Sequence, residues 1–441
     1  MATHRWKPSK FNAFSRSGEN ENIVYNSYTG AIAALDDNEF ALLSRETLKN
    51  ADLTLHQATI AQLAELGFIV PAETDELKKA EQLHQSLHKY DLMHLVVMPT
   101  ESCNFRCTYC YEHFARGKMS KQVVTNLADY VDKHARKFAN LSLSWFGGEP
   151  LLAPDVIEEL SERFLQAAET YGFNYYSDMA TNGYFLTPEL FRKLLKWRVT
   201  RYMITIDGTR EIHDKRRKLS TGGGSYERIM ENLLQIKELA GDFEIHLRMN
   251  FDHDNLALIP DALQQLGALF GGDKRFQLFA RPVGKWGGPN DDELPVCDHH
   301  VAGQKIWDFQ EFGQTQGIRM SSFIEEAMLP TGSVCYAAKP HSLVVGSDGT
   351  LYKCTIALEE DFNRVGKLKA NGEADLDMDK ITAWVTSGEE KDSVCQSCFY
   401  RPACQGNFCP LYRMRTGKRP CPEEKKQVRR VLQLYWKNQS V

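Results

Sequence analysis

A chain of 441 residues is too long for one ordinary core, so two or three domains are expected, and 42% hydrophobic with 25% charged residues is the balance of a soluble globular protein. The net charge of −5 gives no electrostatic case for nucleic acid or an anionic membrane, and no run approaches 18 consecutive apolar residues, which argues against a membrane span. The first 20 residues are polar and basic without a signal peptide's apolar core, so a cytoplasmic protein is expected.

Residues 1–90 read as a small unit of their own. Two β-prone runs flank Tyr28-Thr29-Gly30 within 22–35, which predicts a hairpin. Residues 37–48 and 53–66 carry apolar side chains at helical spacing, and 67–70 is a short strand stopped by Pro71. Hairpin, helices and closing strand describe a winged-helix-like module. Its pattern resembles the peptide-recognition modules fused to enzymes that mature ribosomally made peptides, and a structural cap is the competing reading. Residues 74–90 are charged and helical and link it to the next domain.

From Leu92 short apolar strands alternate with amphipathic helices. The strands are expected at 94–98, 141–146, 175–180, 201–206, 244–249 and 275–279, with helices at 121–138, 154–171 and 188–197. Repeated β-then-α units imply an α/β fold, a parallel sheet or barrel with helices outside and its chemistry at the C-terminal strand ends. This domain is placed at 91–300. In 301–441 turns, glycines and cysteines dominate up to a final helix at 423–438. A loop-rich segment of that kind needs staples, which metal clusters supply.

The 11 cysteines are the informative residues. Cys297 stands apart, as a small buried side chain would. Cys103, Cys107 and Cys110 fall just after the first barrel strand, and seven more follow residue 334. Thiols so clustered in a reducing compartment read as metal ligands. Three thiolates on a cubane iron–sulfur cluster leave one iron open. The alternative is zinc, which wants four ligands, and His113 is the nearest histidine.

Cys103-x3-Cys107-x2-Cys110, with Tyr109 before the last cysteine, resembles the signature of the radical S-adenosylmethionine (SAM) superfamily. Gly147-Gly148-Glu149-Pro150 resembles that family's motif for the SAM amino group, the glycines for close backbone approach and the carboxylate for the ammonium. Thr181-Asn182-Gly183 ends the third strand. Thr205-Ile206-Asp207-Gly208 ends the fourth and resembles the strand end whose hydroxyl lies near SAM. Arg248 and Asn250 stand where relatives contact the SAM carboxylate or ribose. Strand caps are the competing reading for each. The charge run His213-Asp214-Lys215-Arg216-Arg217 reads as solvated surface. The resemblance implies a partial (β/α)6 barrel.

Cys335, Gly349-x4-Cys354, Cys395-x2-Cys398-x5-Cys404, Cys409 and Cys421 resemble the SPASM extension of peptide-modifying radical SAM enzymes, with four residues between Cys404 and Cys409 where the family has three. The resemblance implies two auxiliary [4Fe–4S] clusters. One would be held by Cys395, Cys398, Cys404 and Cys421. Cys335, Cys354 and Cys409 would hold the other, its fourth position filled by Cys297 or left open. It also implies reductive SAM cleavage to a 5′-deoxyadenosyl radical that takes hydrogen from a peptide, giving an oxidative crosslink or thioether. An electron donor such as flavodoxin or ferredoxin goes with that chemistry. The alternatives are a sulfatase-maturase-like enzyme acting on a protein, or a non-catalytic zinc-binding interaction protein. No catalytic acid or base is identified.

Overall fold

The computed structural model describes residues 5–18, 21–44, 48 and 56–439. The parts of the two expected early helices at 45–47 and 53–55 lie outside the described residues. The chain divides into two compact units, one of Met1–Lys89, Ser322–Lys339 and Trp384–Val441, the other of Tyr90–Ser321 and Pro340–Ala383.

The larger unit is the expected α/β barrel domain. Its strands Leu92–Val97, Asn140–Trp145, Asn174–Thr181, Val199–Thr205, Glu244–Phe251 and Phe276–Pro282 lie side by side in chain order, all parallel. Helices Lys121–His134, Pro154–Tyr171, Pro188–Lys196, Tyr226–Lys237 and Ile259–Phe270 connect them. Along Asn140–Trp145 the buried Leu141, Leu143 and Trp145 alternate with half-buried Asn140, Ser142 and Ser144. That period of two puts one face of the strand into the core and turns a polar face the other way. The helix Pro154–Tyr171 starts with proline in its first turn and stops at Gly172 in the left-handed region (φ 77°). Its Val156, Ile157, Leu160 and Phe164 are buried at helical spacing.

The sheet does not stop where the alternation fades in the sequence. Helix His299–Thr315, capped by Asp298, leads to strand Arg319–Met320, which pairs in parallel with Phe276–Pro282. At the opposite edge Ser342–Val345 pairs in parallel with Leu92–Val97, and Thr350–Tyr352, Arg364–Leu368 and Ala374–Leu376 extend it antiparallel to 11 strands. The helix escapes a periodicity reading because its buried face includes Gly303, Gln310 and Gly313. A Cβ on Gly313 would stand 2.6 Å from the Leu278 side chain, so small size, not hydrophobicity, is what the contact requires.

The other unit contains the expected hairpin, Asn22–Asn26 against Ile32–Leu35, with Asn12–Arg16 as the third strand. Ile69–Pro71 pairs with Trp6–Pro8. Val24, Leu35, Ile60, Leu63, Phe68 and Ile69 form its core. Residues 1–89 do not stand alone in this unit. Ser27 donates to the carbonyl of Phe399, Gln405 Nε2 donates to Ala80 O (3.4 Å), and Gln433 Nε2 of helix Val428–Asn438 donates to Arg16 O (2.9 Å).

Candidate functional site

The cysteine trio occupies the loop after Leu92–Val97. Phe105–Cys107 pairs antiparallel with Arg217–Leu219, Arg217 opposite Cys107, and Thr108 N and Ser220 N add bonds to Arg216 O (2.9 Å) and Asn104 O (2.7 Å). The reading of 213–217 as solvated surface is therefore corrected. His213 is fully buried and Arg216 and Arg217 are 7% exposed, while Lys215 is exposed as expected: 213–216 end the helix Arg210–Arg216, and Arg217 starts the strand that pairs with the cysteine loop. A linear charge count cannot see that pairing.

The loops meet at van der Waals limits. A Cβ on Gly147 (φ 114°) would lie 2.3 Å from Thr100 O, and one on Gly148 would lie 2.4 Å from Ser102 O. Glu149 N donates to Ser102 O (2.9 Å). These two glycines permit the approach that puts the second-strand loop against the cysteine loop. Together the loops line a cavity of about 180 Å³ that also takes Tyr109, Thr181, Asn182, Thr205, Arg217, Arg248 and Asn250 into its wall.

Cys103, Cys107 and Cys110 all line this cavity and are near enough to influence one another's ionisation. Burial pushes the Cys103 thiol up to about 12. Burial also raises Cys107, and the Arg217 guanidinium is the strongest influence opposing it. Among the described residues no group of three or more His, Cys, Asp or Glu side chains is gathered around a single point that would hold one metal ion.

Glu149 is placed differently from the other expected cofactor contacts. Its side chain is fully buried behind the cavity wall and accepts from Leu151 N (3.0 Å), Thr181 Oγ1 (2.7 Å) and Asn182 N (2.7 Å). The carboxylate thus clamps the second and third strand ends together, and Gly147 and Gly148 are the parts of that motif in the cavity wall. Thr205 reaches the wall. Arg248 Nε donates to Asn250 Oδ1 (2.8 Å), and Asn250 Nδ2 donates to Tyr109 Oη (3.1 Å). Tyr109 Oη also bonds Asp207 and accepts from Arg217 Nη1 (2.9 Å).

Wall residues that the sequence did not assign to the site include Arg217, Tyr111, Glu112 and Trp286. Burial, reinforced by Glu101 and opposed by Arg116, raises the Glu112 carboxyl to about 7, and its Oε1 has no partner among the described residues. Trp286 stands at the end of the sixth strand's loop, its ring packed on Gly284. The same loop reaches the cysteine loop through Asn290 Nδ2, which donates to Thr108 O (3.2 Å). Only the positions of Tyr111 and Glu112, directly after Cys110, gave a sequence signal.

The C-terminal cysteines are held by short local structure. Asp392 caps the four-residue helix Ser393–Gln396, accepting from Val394 N (2.9 Å) and Cys395 N (3.3 Å), and Arg419 Nη2 reaches the same carboxylate (2.5 Å). Cys398 and Cys421 lie near enough to act on the buried Cys404 thiol, and Lys425 Nζ donates to Cys421 Sγ (3.3 Å). The buried Arg401–Glu389 pair, two contacts of 2.9 Å, anchors helix Arg401–Cys404. Cys335 N donates to Asn407 O (3.0 Å), and Cys409 caps helix Pro410–Thr416. Cys354, in the barrel unit, is buried beside Tyr111. Cys297 lies beside Asp252 and Asp298. None of the 11 cysteines is joined in a disulfide.

Residues 97–264 match the radical SAM superfamily model. The cysteine-type anaerobic sulfatase-maturating enzyme of Clostridium novyi (strain NT) is 25% identical over 330 residues, 70% of this chain and 86% of that protein. The structure of hexahistidine-tagged anSMEcpe with bound AdoMet superposes with a TM-score of 0.58 at 17% identity, over 80% of this chain and 96% of that one. Native anSMEcpe with bound AdoMet and Cp18Cys peptide gives 0.56 at 19% identity, covering 80% and 100%. The chain carries a radical SAM domain on the partial-barrel fold these proteins share.

Proposed function

We propose, taking the radical SAM domain as premise, that this protein is a radical SAM maturase that modifies a peptide or a peptide segment of a protein. The observation that carries the reading is the convergence of Cys103, Cys107 and Cys110 with Gly147, Gly148, Thr205, Arg248 and Asn250 on one cavity at the C-terminal strand ends. The donor set fits a four-iron cluster: three thiols lining one cavity and a buried cation beside them. With SAM bound, such a cluster supplies one-electron reductive cleavage to the 5′-deoxyadenosyl radical. The chain's own residues bind and orient. Glycine backbone approaches the cosubstrate, Arg248 and Asn250 offer polar contacts for its carboxylate and ribose, and Trp286 helps to wall the cavity from water.

The second metal region is assigned in the same way. Cys395, Cys398, Cys404 and Cys421 supply four thiols within one unit for an auxiliary cluster. Cys335 and Cys409 of the same unit are proposed ligands of another. Auxiliary clusters that accept an electron favour an oxidative product, a crosslink or thioether. The relatives named sulfatase-maturating enzymes, and a solved relative with a bound peptide, support a peptide substrate. They equally favour a second reading, maturation of a sulfatase-like protein. The N-terminal sheet, with Ile32–Leu35 as an edge strand, suits recognition of an extended peptide by strand addition.

The test is anaerobic reconstitution with iron and sulfide counts beside a SAM-cleavage assay. About twelve irons per chain and 5′-deoxyadenosine formation are expected. Colourless, zinc-bearing protein that leaves SAM intact would overturn the proposal.

A further inference from the structure

Arg217 is the least expected residue of the site. It is 7% exposed and lines the cavity with the cysteine trio. Its Nη1 is committed to Tyr109 Oη (2.9 Å), and its guanidinium lies 5.5 Å from the Phe105 ring centroid. Its Nε has no partner among the described residues. The strand ladder opposite Cys107 fixes where the backbone of this residue stands. Of the neighbouring cations, Arg248 also lines the cavity and Arg216 does not. Arg216 holds Asp252 (2.9 Å), and Arg248 Nε is spent on Asn250.

A buried N–H without a partner is costly, and a buried guanidinium, even with Asp207 among its neighbours, gains from further negative charge. A cluster with thiolate ligands answers both needs, since it is anionic and its sulfurs accept hydrogen bonds. We propose that Arg217 donates its Nε–H to a sulfur of the iron–sulfur group held by Cys103, Cys107 and Cys110, and thereby raises that group's reduction potential. The inference rests on the proposal that the trio holds a cluster. Adding an electron makes the cluster more negative, so a fixed donor and cation favour the reduced form. Arg217 is then a positioning and tuning residue whose effect is on electron uptake.

The experiment uses the full chain, reconstituted anaerobically, as wild type, Arg217→Lys and Arg217→Met. Iron and sulfide are counted, and the potential of the core cluster is followed by paramagnetic resonance, its signal identified as the one that changes on SAM addition. Wild-type iron content is expected in all three. The midpoint potential should shift to more negative values in both variants, further in Met than in Lys. A wild-type potential in Arg217→Met overturns the proposal. So does a loss of SAM affinity at unchanged potential, which would assign Nε to the cosubstrate carboxylate. If Arg217→Met cannot hold iron, Arg217→Lys decides, because it keeps the charge without the Nε donor: a wild-type potential there overturns the hydrogen bond. A wild-type protein that takes up no iron would instead remove the cluster assignment on which the inference rests.

Discussion

The two cysteine-rich regions solve the same problem with different means. In the barrel unit the trio's loop is positioned by the sheet: a ladder with Arg217–Leu219, two glycines at contact distance, and a buried carboxylate tying neighbouring strand ends. In the other unit Cys395, Cys398 and Cys404 sit on or beside helices of four residues, secured by the Asp392 cap and one buried ion pair. The first region is preorganised by the fold around it. The second has short helices only, so on the proposed assignment metal ligation supplies much of its rigidity.

The largest effect should come from the trio. Cys107→Ala is expected to abolish 5′-deoxyadenosine formation and remove about four irons per chain, whereas Cys404→Ala should lose a similar iron count yet keep SAM cleavage. Equal loss of SAM cleavage in both, by chromatography of the nucleoside, would break the distinction between the regions. Next comes Arg401→Met, which strands the buried Glu389 and should cost about 3–5 kcal/mol, read as a lower denaturant midpoint. Gly148→Ala forces a Cβ against Ser102 O and should destabilise the barrel unit by about 1–3 kcal/mol. It should reduce SAM cleavage while sparing the auxiliary iron. Asp392→Ala removes a helix cap and should cost about 1 kcal/mol, with faster loss of iron to a chelator than in wild type. The smallest shift is expected from Lys425→Met. That donor to Cys421 is partly solvated, so the auxiliary potential should move less than the core potential does in Arg217→Met.

The sequence carried the local parts of this design well. Strand–helix alternation, cysteine spacing and the glycine pair are short-range patterns, and each appears within a few residues of its expected place. What escaped was set by pairing across long separations. Arg217 is buried because it lies opposite Cys107, 110 positions earlier, and nothing in its own neighbourhood says so. Glu149 turns inward because Thr181 and Asn182 offer donors there. Strands in 342–376 were read as loop because three to five residues are too few to show a period. Residues 1–89 share a unit with the tail through side-chain-to-carbonyl bonds that leave no mark on hydropathy.

The pairing of Leu92–Val97 with Ser342–Val345 also bears on the order of events as the chain is made. The strand that delivers the cysteine trio emerges from the ribosome roughly 250 residues before its second neighbour, at about 5–20 residues per second. Until Ser342–Val345 arrives, that strand presents an open edge of unpaired N–H and C=O groups. A nascent chain halted near residue 330 would therefore hold a complete cysteine trio on an unfinished sheet. The sheet beneath the trio is thus closed on both sides only after Ser342–Val345 is made.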